Sequence, residues 1–108
     1  MVRLIRGGVY RIDLGDAKRG HEQNGRRLGV LISPSDSVLS VATFVPTSTQ
    51  AGTAINRPRV EIDGRETVLL VDQVRTIDLD YVAGFLEMLD RNDMAALNHA
   101  LGRYLGIC

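Results

Sequence analysis

Residues 7–33 read GGVYRIDLGDAKRGHEQNGRRLGVLIS, and this stretch decides the fold. Apolar and polar side chains alternate over Gly7–Leu14, which predicts a β-strand with one apolar face. Leu28–Ser33 is more continuously apolar and predicts a second, more buried strand. Between the two strands, residues 15–26 hold three glycines and many charges but no large apolar side chain. A polar loop of this length between two strands is often functional.

The middle of the chain has the pattern of further short strands separated by turn-forming residues. We predict strands over Val38–Pro46, Pro58–Ile62, Thr67–Val71 and Gly84–Leu89. Thr47–Asn56 is rich in Thr, Ser and Gly and is predicted to be an open loop, whereas Asp63-Gly64 predicts a hairpin turn. Gln73–Asp78 is predicted to leave the sheet, and Leu79–Ala83 to form a single helical turn.

The C-terminal residues predict one helix that packs against the sheet. Asp90 is placed as its N-cap with Asp93 at the third helical position, and Gly106 ends it. Its apolar stripe consists of Met94, Leu97, Leu101, Tyr104 and Leu105. The 108 residues contain no linker or repeat, so we expect a single domain over residues 1–108. The predicted architecture is mainly β or α+β, a small and strongly bent antiparallel sheet closed by a C-terminal helix.

The composition excludes several classes of protein. With 44% apolar and 24% charged residues, the chain has the composition of one soluble domain. It has neither the ~20-residue apolar run of a membrane span nor a secretion signal, so we expect a cytoplasmic protein. The single cysteine, Cys108, excludes an intrachain disulfide. His21 and His99 lack partners at metal-ligand spacing, so we expect neither a metal nor a cofactor.

The net charge of zero conceals a strong asymmetry along the chain. Residues 1–27 hold seven basic and three acidic residues, a net charge of +4, while residues 28–60 carry +1 and residues 61–108 carry −5. Twelve of the 13 basic residues are Arg, whose planar guanidinium binds phosphate through two parallel hydrogen bonds. The basic first half suggests an anionic ligand, although a solvated surface would have the same composition.

Two segments carry candidate functional side chains. The segment GHEQNGRR, residues 20–27, contains His21, Glu22, Gln23, Asn24, Arg26 and Arg27. Because Arg27 begins the second strand, a rigid element fixes its backbone while the loop supplies a flexible wall. A second cluster, Thr47, Ser48 and Thr49, follows the third strand. The alternatives are that the loop is merely solvated and that the hydroxyls form a turn.

Taken in order, these segments resemble the MazF/PemK family of toxin endoribonucleases. The segments are RGGVYRIDL, GHEQNGRRLGVLIS, VPTS, VDQVRTID and the closing YLGI. The family's opening strand and its G-x-EQ-x-G-x-RP stretch are matched over Arg6–Ile32, and its late Q-[VI]-R-[TS]-[IVL] pattern over residues 73–77. The resemblance extends over Arg6–Ile107. It implies an SH3-like barrel of the CcdB/PemK type with a C-terminal helix.

The resemblance also implies an activity: sequence-specific, metal-independent cleavage of single-stranded RNA to 2′,3′-cyclic phosphate and 5′-hydroxyl ends. It assigns catalysis to Arg27 and Ser48. The RNA-binding residues it implies are His21, Glu22, Gln23, Asn24, Arg26, Thr47, Thr49, Gln73 and Arg75. Members are homodimers without a cofactor, and a cognate antitoxin neutralises each of them by filling the RNA groove with an acidic, disordered tail.

Three positions depart from the family pattern. Leu28 stands where the family has Pro after the Arg, and His21 stands where a small residue precedes EQ. Ser48 replaces the usual Thr, which keeps the hydroxyl and loses a methyl group. A one-residue slip of the alignment would instead assign the catalytic hydroxyl to Thr47 or Thr49.

Three alternatives remain open at this point. Arg75 either lies near the RNA or forms a structural ion pair with Asp72 or Asp78. The ending Leu105–Cys108 is distantly similar to that of CcdB-like toxins, which act by binding a topoisomerase. A non-catalytic RNA-binding barrel is the remaining alternative, in which the substitutions at Leu28 and Ser48 have removed activity.

Overall fold

The computed structural model describes residues 4–14, 26–34 and 39–107, with only the backbone of Arg26. Within these ranges the chain forms seven β-strands, one α-helix and two 3₁₀ turns. The strands are β1 (Gly8–Asp13), β2 (Arg26–Leu31), β3 (Val41–Ser48), β4 (Arg59–Ile62), β5 (Arg65–Leu69), β6 (Arg75–Asp78) and β7 (Val82–Met88). The helix α1 spans Arg91–Leu105, and the 3₁₀ turns span Val71–Gln73 and Leu79–Tyr81.

The strands form one curled antiparallel sheet. Its order is β4-β5-β3-β2-β1-β7, and β6 pairs with β3 beside this path. The long strand β3 causes the curl, because its first half pairs with β6 and its last two residues, Thr47 and Ser48, pair with β5. This half-barrel with a single C-terminal helix confirms the predicted mainly-β class and bent antiparallel sheet.

The sheet is buried on both faces, so β1 carries apolar side chains that point to one face and apolar side chains that point to the other. Val9 and Tyr10 are adjacent in sequence, point to opposite faces and are both fully buried. Val9 belongs to the helix-side core, which also contains Val30, Val45, Leu69, Leu97 and Leu101. Tyr10 belongs to the groove-side core, with Ile12, Leu31, Phe44, Ile77 and Val82. The groove-side face carries the candidate site.

The predicted caps of the C-terminal helix and the predicted hairpin turn are confirmed. Asp90 caps α1, because its Oδ1 accepts a hydrogen bond of 2.8 Å from the backbone N–H of Asp93. Gly106 ends the helix with a left-handed backbone (φ 74°). Asp63 and Gly64 both adopt positive φ, at 55° and 74°, as a two-residue hairpin requires. The 3₁₀ turn at Leu79–Tyr81 confirms the predicted helical turn over its first three residues, whereas Val82 and Ala83 belong to β7.

The predicted ends of four strands were wrong by two residues or more. β5 spans Arg65–Leu69 rather than Thr67–Val71, and β7 spans Val82–Met88 rather than Gly84–Leu89. β2 begins at Arg26 rather than Leu28, because the backbones of Arg26 and Arg27 pair with β1. β3 spans Val41–Ser48 rather than Val38–Pro46. Thr47 and Ser48 therefore belong to a strand and not to a loop, since β5 supplies their partners from twenty residues further along the chain.

The prediction that Gln73–Asp78 leaves the sheet was also wrong. Arg75–Asp78 forms β6, antiparallel to the first half of β3. The hydroxyls of Thr43 and Thr76 lie 2.8 Å apart across this pair, and Ile77 is buried in the groove-side core. No helix in the described ranges is long and apolar enough to cross a membrane.

Candidate functional site

An open pocket of about 280 Å³ lies on the groove-side face of the sheet. We call it the main pocket. It brings Arg27 together with Gln73 and Arg75, which lie far from Arg27 in the sequence. Its apolar wall consists of Ile12, Leu14, Leu28, Phe44, Pro46 and Ile77. A concave surface with apolar walls and a few converging polar groups is typical of a ligand site.

Strand register explains why two arginines meet in this pocket. Arg27 on β2 pairs with Ile12 on β1, and Arg75 on β6 pairs with Phe44 on β3. Directly paired residues of antiparallel strands point to the same face of a sheet. Because Ile12 and Phe44 both belong to the groove-side core, Arg27 and Arg75 project from that same face. Two guanidiniums in one pocket suit a ligand with phosphate groups.

Ser48 lies on the same face of the sheet as Arg27. Side chains alternate along β3, so Ser48 points to the same face as Pro46 and Phe44, and Phe44 belongs to the groove-side core. The Ser48 Oγ accepts hydrogen bonds from the backbone N–H groups of Gln50 (3.1 Å) and Ala51 (3.0 Å). These two bonds use the oxygen as acceptor, so the hydroxyl proton can still be donated to a ligand.

The neighbouring hydroxyls have different surroundings. Thr47 points to the opposite face from Ser48, is 9% exposed and donates its hydroxyl to the backbone oxygen of Leu28 at 3.0 Å. Thr49 is exposed and follows the end of β3. Of the three hydroxyls left open by the sequence, the alternation along β3 therefore places Ser48 on the face that carries Arg27.

An ion pair that the sequence did not predict stands beside the main pocket. Arg57 Nε and Nη2 donate to the two carboxylate oxygens of Asp72 at 2.8 and 2.9 Å. Asp72 lies in the 3₁₀ turn that ends at Gln73, and its backbone oxygen accepts a hydrogen bond from the Tyr104 hydroxyl at 3.3 Å. The pair and the hydroxyl together hold the turn that presents Gln73 to the pocket.

This ion pair also decides the question left open for Arg75. Asp72 is bound to Arg57, and Asp78 Oδ1 accepts a hydrogen bond from the backbone N–H of Asp80 at 2.8 Å. Among the described residues, Arg75 forms no side-chain hydrogen bond or ion pair. The structural pairing of Arg75 with Asp72 or Asp78 is therefore not observed, and its side chain lines the main pocket instead.

The Arg57–Asp72 pair makes stability depend on pH. The hydrogen bond from Arg57 lowers the pKa of the Asp72 carboxyl below its ordinary value. A carboxyl with a lowered folded-state pKa stabilises the protein above its unfolded pKa, and this stabilisation is lost as the pH falls through the folded value. We expect Asp72→Asn to unfold at lower denaturant concentration than the parent above pH ~5, with a gap that closes below about pH 4.

Urea unfolding at several pH values measures this gap. Glu66→Gln is the matched control, because it breaks the Arg59–Glu66 pair (2.9 Å), whose side chains are 52% and 75% exposed. Such an exposed pair contributes little, so the control should unfold like the parent at every pH. A gap for Asp72→Asn that does not change with pH would show that the ion pair is not its cause.

Several predicted residues cannot be placed. His21, Glu22, Gln23 and Asn24 lie outside the described residues, as does the side chain of Arg26, whose backbone pairs with Asp13. Over the part of the chain that the structure describes, no three His, Cys, Asp or Glu side chains are grouped so that they could hold a metal ion.

Residues 5–105 match the model of a family described as PemK-like, MazF-like toxin of type II toxin-antitoxin system. A relative from Mycobacterium tuberculosis (strain ATCC 25618 / H37Rv) that carries the name of a toxin is 56% identical over 105 residues. The match covers 96% of this chain and 99% of the relative. The sequence similarity therefore extends over the whole half-barrel and its helix.

Solved structures are similar to this chain over nearly its full length. MazF from Deinococcus radiodurans has a TM-score of 0.80 at 24% identity, covering 98% of this chain and 99% of that chain. An endoribonuclease from a mycobacterial species, in complex with its cognate antitoxin, has a TM-score of 0.79 at 22% identity, with 97% of each chain covered. At these identities the likeness shows a shared fold.

Proposed function

This chain belongs to the family of PemK-like, MazF-like toxins of type II toxin–antitoxin systems, and we propose that it is an endoribonuclease that cleaves single-stranded RNA without a metal ion. The observation that carries this proposal is the placement of Arg27 and Arg75 in one pocket, with Ser48 on the same face of the sheet. Solved structures of the same fold include proteins named as endoribonucleases.

The proposed reaction is attack by a ribose 2′-hydroxyl on the adjacent phosphorus. The 2′-oxygen forms a bond to phosphorus, the bond from phosphorus to the 5′-oxygen breaks, and the products carry a 2′,3′-cyclic phosphate and a 5′-hydroxyl. Negative charge accumulates on the non-bridging oxygens as the fifth bond forms. The Arg27 guanidinium and the Ser48 hydroxyl donate hydrogen bonds to these oxygens and thereby stabilise the transition state.

Arg27 acts here through its charge and its N–H donors. A guanidinium has five N–H donors and no acceptor, so it is a poor general base. The reaction nevertheless moves one proton from the 2′-hydroxyl to the 5′-oxygen. Glu22 or His21, which lie between β1 and β2 in the sequence, has a suitable ionisable group for that transfer.

Base recognition is assigned to polar side chains around the main pocket. Gln73 offers one amide donor group and one acceptor to a splayed base, and Arg75 a guanidinium to the backbone or to a base edge. The same cationic pocket would take the acidic tail of a cognate antitoxin, which would then compete with RNA. Assembly of two copies and action in the cytoplasm complete the proposal.

RNA cleavage in EDTA tests the function directly. The purified protein is incubated with a mixed-sequence RNA in excess EDTA, and the fragment ends are mapped. We expect discrete cuts at one short motif, with a cyclic phosphate on the upstream fragment. Intact RNA after prolonged incubation would contradict the nuclease assignment and favour a toxin that acts by protein contact, or a non-catalytic RNA-binding barrel.

A further inference from the structure

Gln73 is the last residue of a 3₁₀ turn beside the main pocket. The turn spans Val71–Gln73, and the backbone N–H of Gln73 donates to the carbonyl oxygen of Leu70 at 2.9 Å. Since a 3₁₀ helix has three residues per turn, the three side chains point in three directions, roughly 120° apart. Val71 is fully buried in the helix-side core, and Gln73 is exposed and lines the main pocket. The contacts of the third residue, Asp72, therefore help to set the direction of Gln73.

Asp72 is held by a two-pronged ion pair. Its carboxylate oxygens accept hydrogen bonds from Nε and Nη2 of Arg57 at 2.8 and 2.9 Å, and the two side chains are 35% and 28% exposed. Contact between a planar guanidinium and both carboxylate oxygens fixes orientation as well as distance. The Tyr104 hydroxyl holds the backbone oxygen of the same residue. The ion pair thus fixes the rotation of the turn about its axis.

The ends of the turn are fixed by the sheet. Before it, the backbone N–H of Leu70 donates to the carbonyl oxygen of Pro46 on β3 at 2.9 Å, and after it Arg75 begins β6. The Gln73 side chain has no such support, because among the described residues it makes no hydrogen bond or ion pair. Its amide is therefore available to a ligand, and its direction follows from the backbone that carries it.

The direction of the Gln73 amide decides which base it can recognise. The amide carries a donor group on one side and an acceptor on the other, so a rotated amide presents a different pattern to the edge of a splayed base. A turn that moves more freely would also make the side chain lose more conformational freedom on binding. Fixing this turn therefore favours one base over the others.

We propose that Arg57 and Asp72 are positioning residues, which hold Gln73 so that its amide selects one base at one position of the cleaved motif. Within the part of the chain that the structure describes, neither Arg57 nor Asp72 lines the main pocket, so both act through Gln73. This inference rests on the proposed endoribonuclease function. It extends that function from the residues that meet RNA to two residues that set the base preference without contacting RNA.

A double-mutant cycle on cleavage specificity tests the positioning role. An RNA library randomised around the mapped cut is digested to a limited extent by the parent, Asp72→Asn, Gln73→Ala and the double variant, and the fragments are sequenced. We expect Gln73→Ala to lower the preference for one base at one position by about tenfold. Asp72→Asn should lower the preference at that position by about threefold or more, and should add nothing in the double variant.

The base preference separates positioning from a loss of stability. It is a ratio of cuts within one digest, so a smaller folded fraction lowers all cuts alike and leaves the ratio unchanged. Arg57→Met removes the same ion pair from its other side and should reproduce the profile of Asp72→Asn. Glu66→Gln breaks the exposed Arg59–Glu66 pair and should keep the parental profile.

The outcomes distinguish this inference from the proposed function. If the parent cuts RNA and either Gln73→Ala alone or both ion-pair variants keep its base preference, the positioning role is wrong while the nuclease function stands. The same conclusion follows if the effects of Asp72→Asn and Gln73→Ala add, since Asp72 would then act independently of Gln73. If the parent cuts no RNA, both proposals fail.

Discussion

Arg27→Ala is expected to abolish RNA cleavage, with a fall in rate of about 10³-fold or more. A guanidinium fixed against a phosphoryl group in its transition state contributes about 10³–10⁵-fold in other phosphoryl-transfer enzymes. We propose the same role for Arg27, because its backbone is held in β2 by pairing with Ile12 and its side chain lines the main pocket. Single-turnover cleavage of a short RNA that contains the mapped motif measures the loss.

The controls for Arg27→Ala separate chemistry from folding. The variant should keep the parental thermal midpoint, because Arg27 is only half-buried and β2 retains its backbone pairing. Arg27→Lys keeps the charge but loses the two-pronged donor geometry, so it should recover a small part of the rate. Arg103→Ala, at an exposed position of α1 outside the main pocket, should cleave like the parent. A folded Arg27→Ala protein that cuts at the parental rate would contradict the assignment.

Ser48→Ala is expected to slow cleavage by about 10²-fold, which is the typical effect of removing one transition-state hydrogen-bond donor. The loss is smaller than for Arg27→Ala because other donors remain. Since the Ser48 Oγ also accepts from the backbone N–H groups of Gln50 and Ala51, the variant loosens the turn after β3 as well. Ser48→Thr keeps the hydroxyl and should retain most of the activity.

Variants of the two neighbouring threonines provide matched controls for Ser48→Ala. Thr49→Ala removes an exposed hydroxyl and should leave the rate unchanged. Thr47→Val removes the hydrogen bond to the Leu28 oxygen, so it should lower the unfolding midpoint more than the cleavage rate of the folded protein. If Thr47 or Thr49 variants lose about 10²-fold in rate and Ser48→Ala cleaves normally, the placement on the sheet assigns the wrong hydroxyl.

Local signals in the sequence predicted much of the fold. The alternation over Gly7–Leu14, the Asp63-Gly64 turn and the caps at Asp90 and Gly106 each depend on neighbours a few residues away, and each is confirmed. The errors occur where a distant partner decides the structure. β6 and the end of β3 are strands because other strands supply their hydrogen bonds, and no periodicity within Arg75–Asp78 reveals that.

The candidate site was predictable in part. The resemblance to a known family nominated Arg27, Gln73 and Arg75, and these three line one pocket. Placing the three hydroxyls on faces of the sheet required the extent of β3 and the face that Phe44 occupies, which a single sequence does not contain. The Arg57–Asp72 pair was not predicted, because fifteen residues separate its members and Arg57 belongs to no recognised motif.

The most direct test of the proposed chemistry is cleavage of an RNA that carries a single 2′-deoxynucleotide. Attack by the 2′-hydroxyl requires that group on the nucleotide immediately upstream of the scissile phosphate. We predict that a 2′-deoxynucleotide at this position abolishes the cut in excess EDTA. The same change in the nucleotide immediately downstream of the scissile phosphate should leave cleavage at that phosphate unchanged. A cut at the parental rate in the RNA that lacks the upstream 2′-hydroxyl would contradict the mechanism.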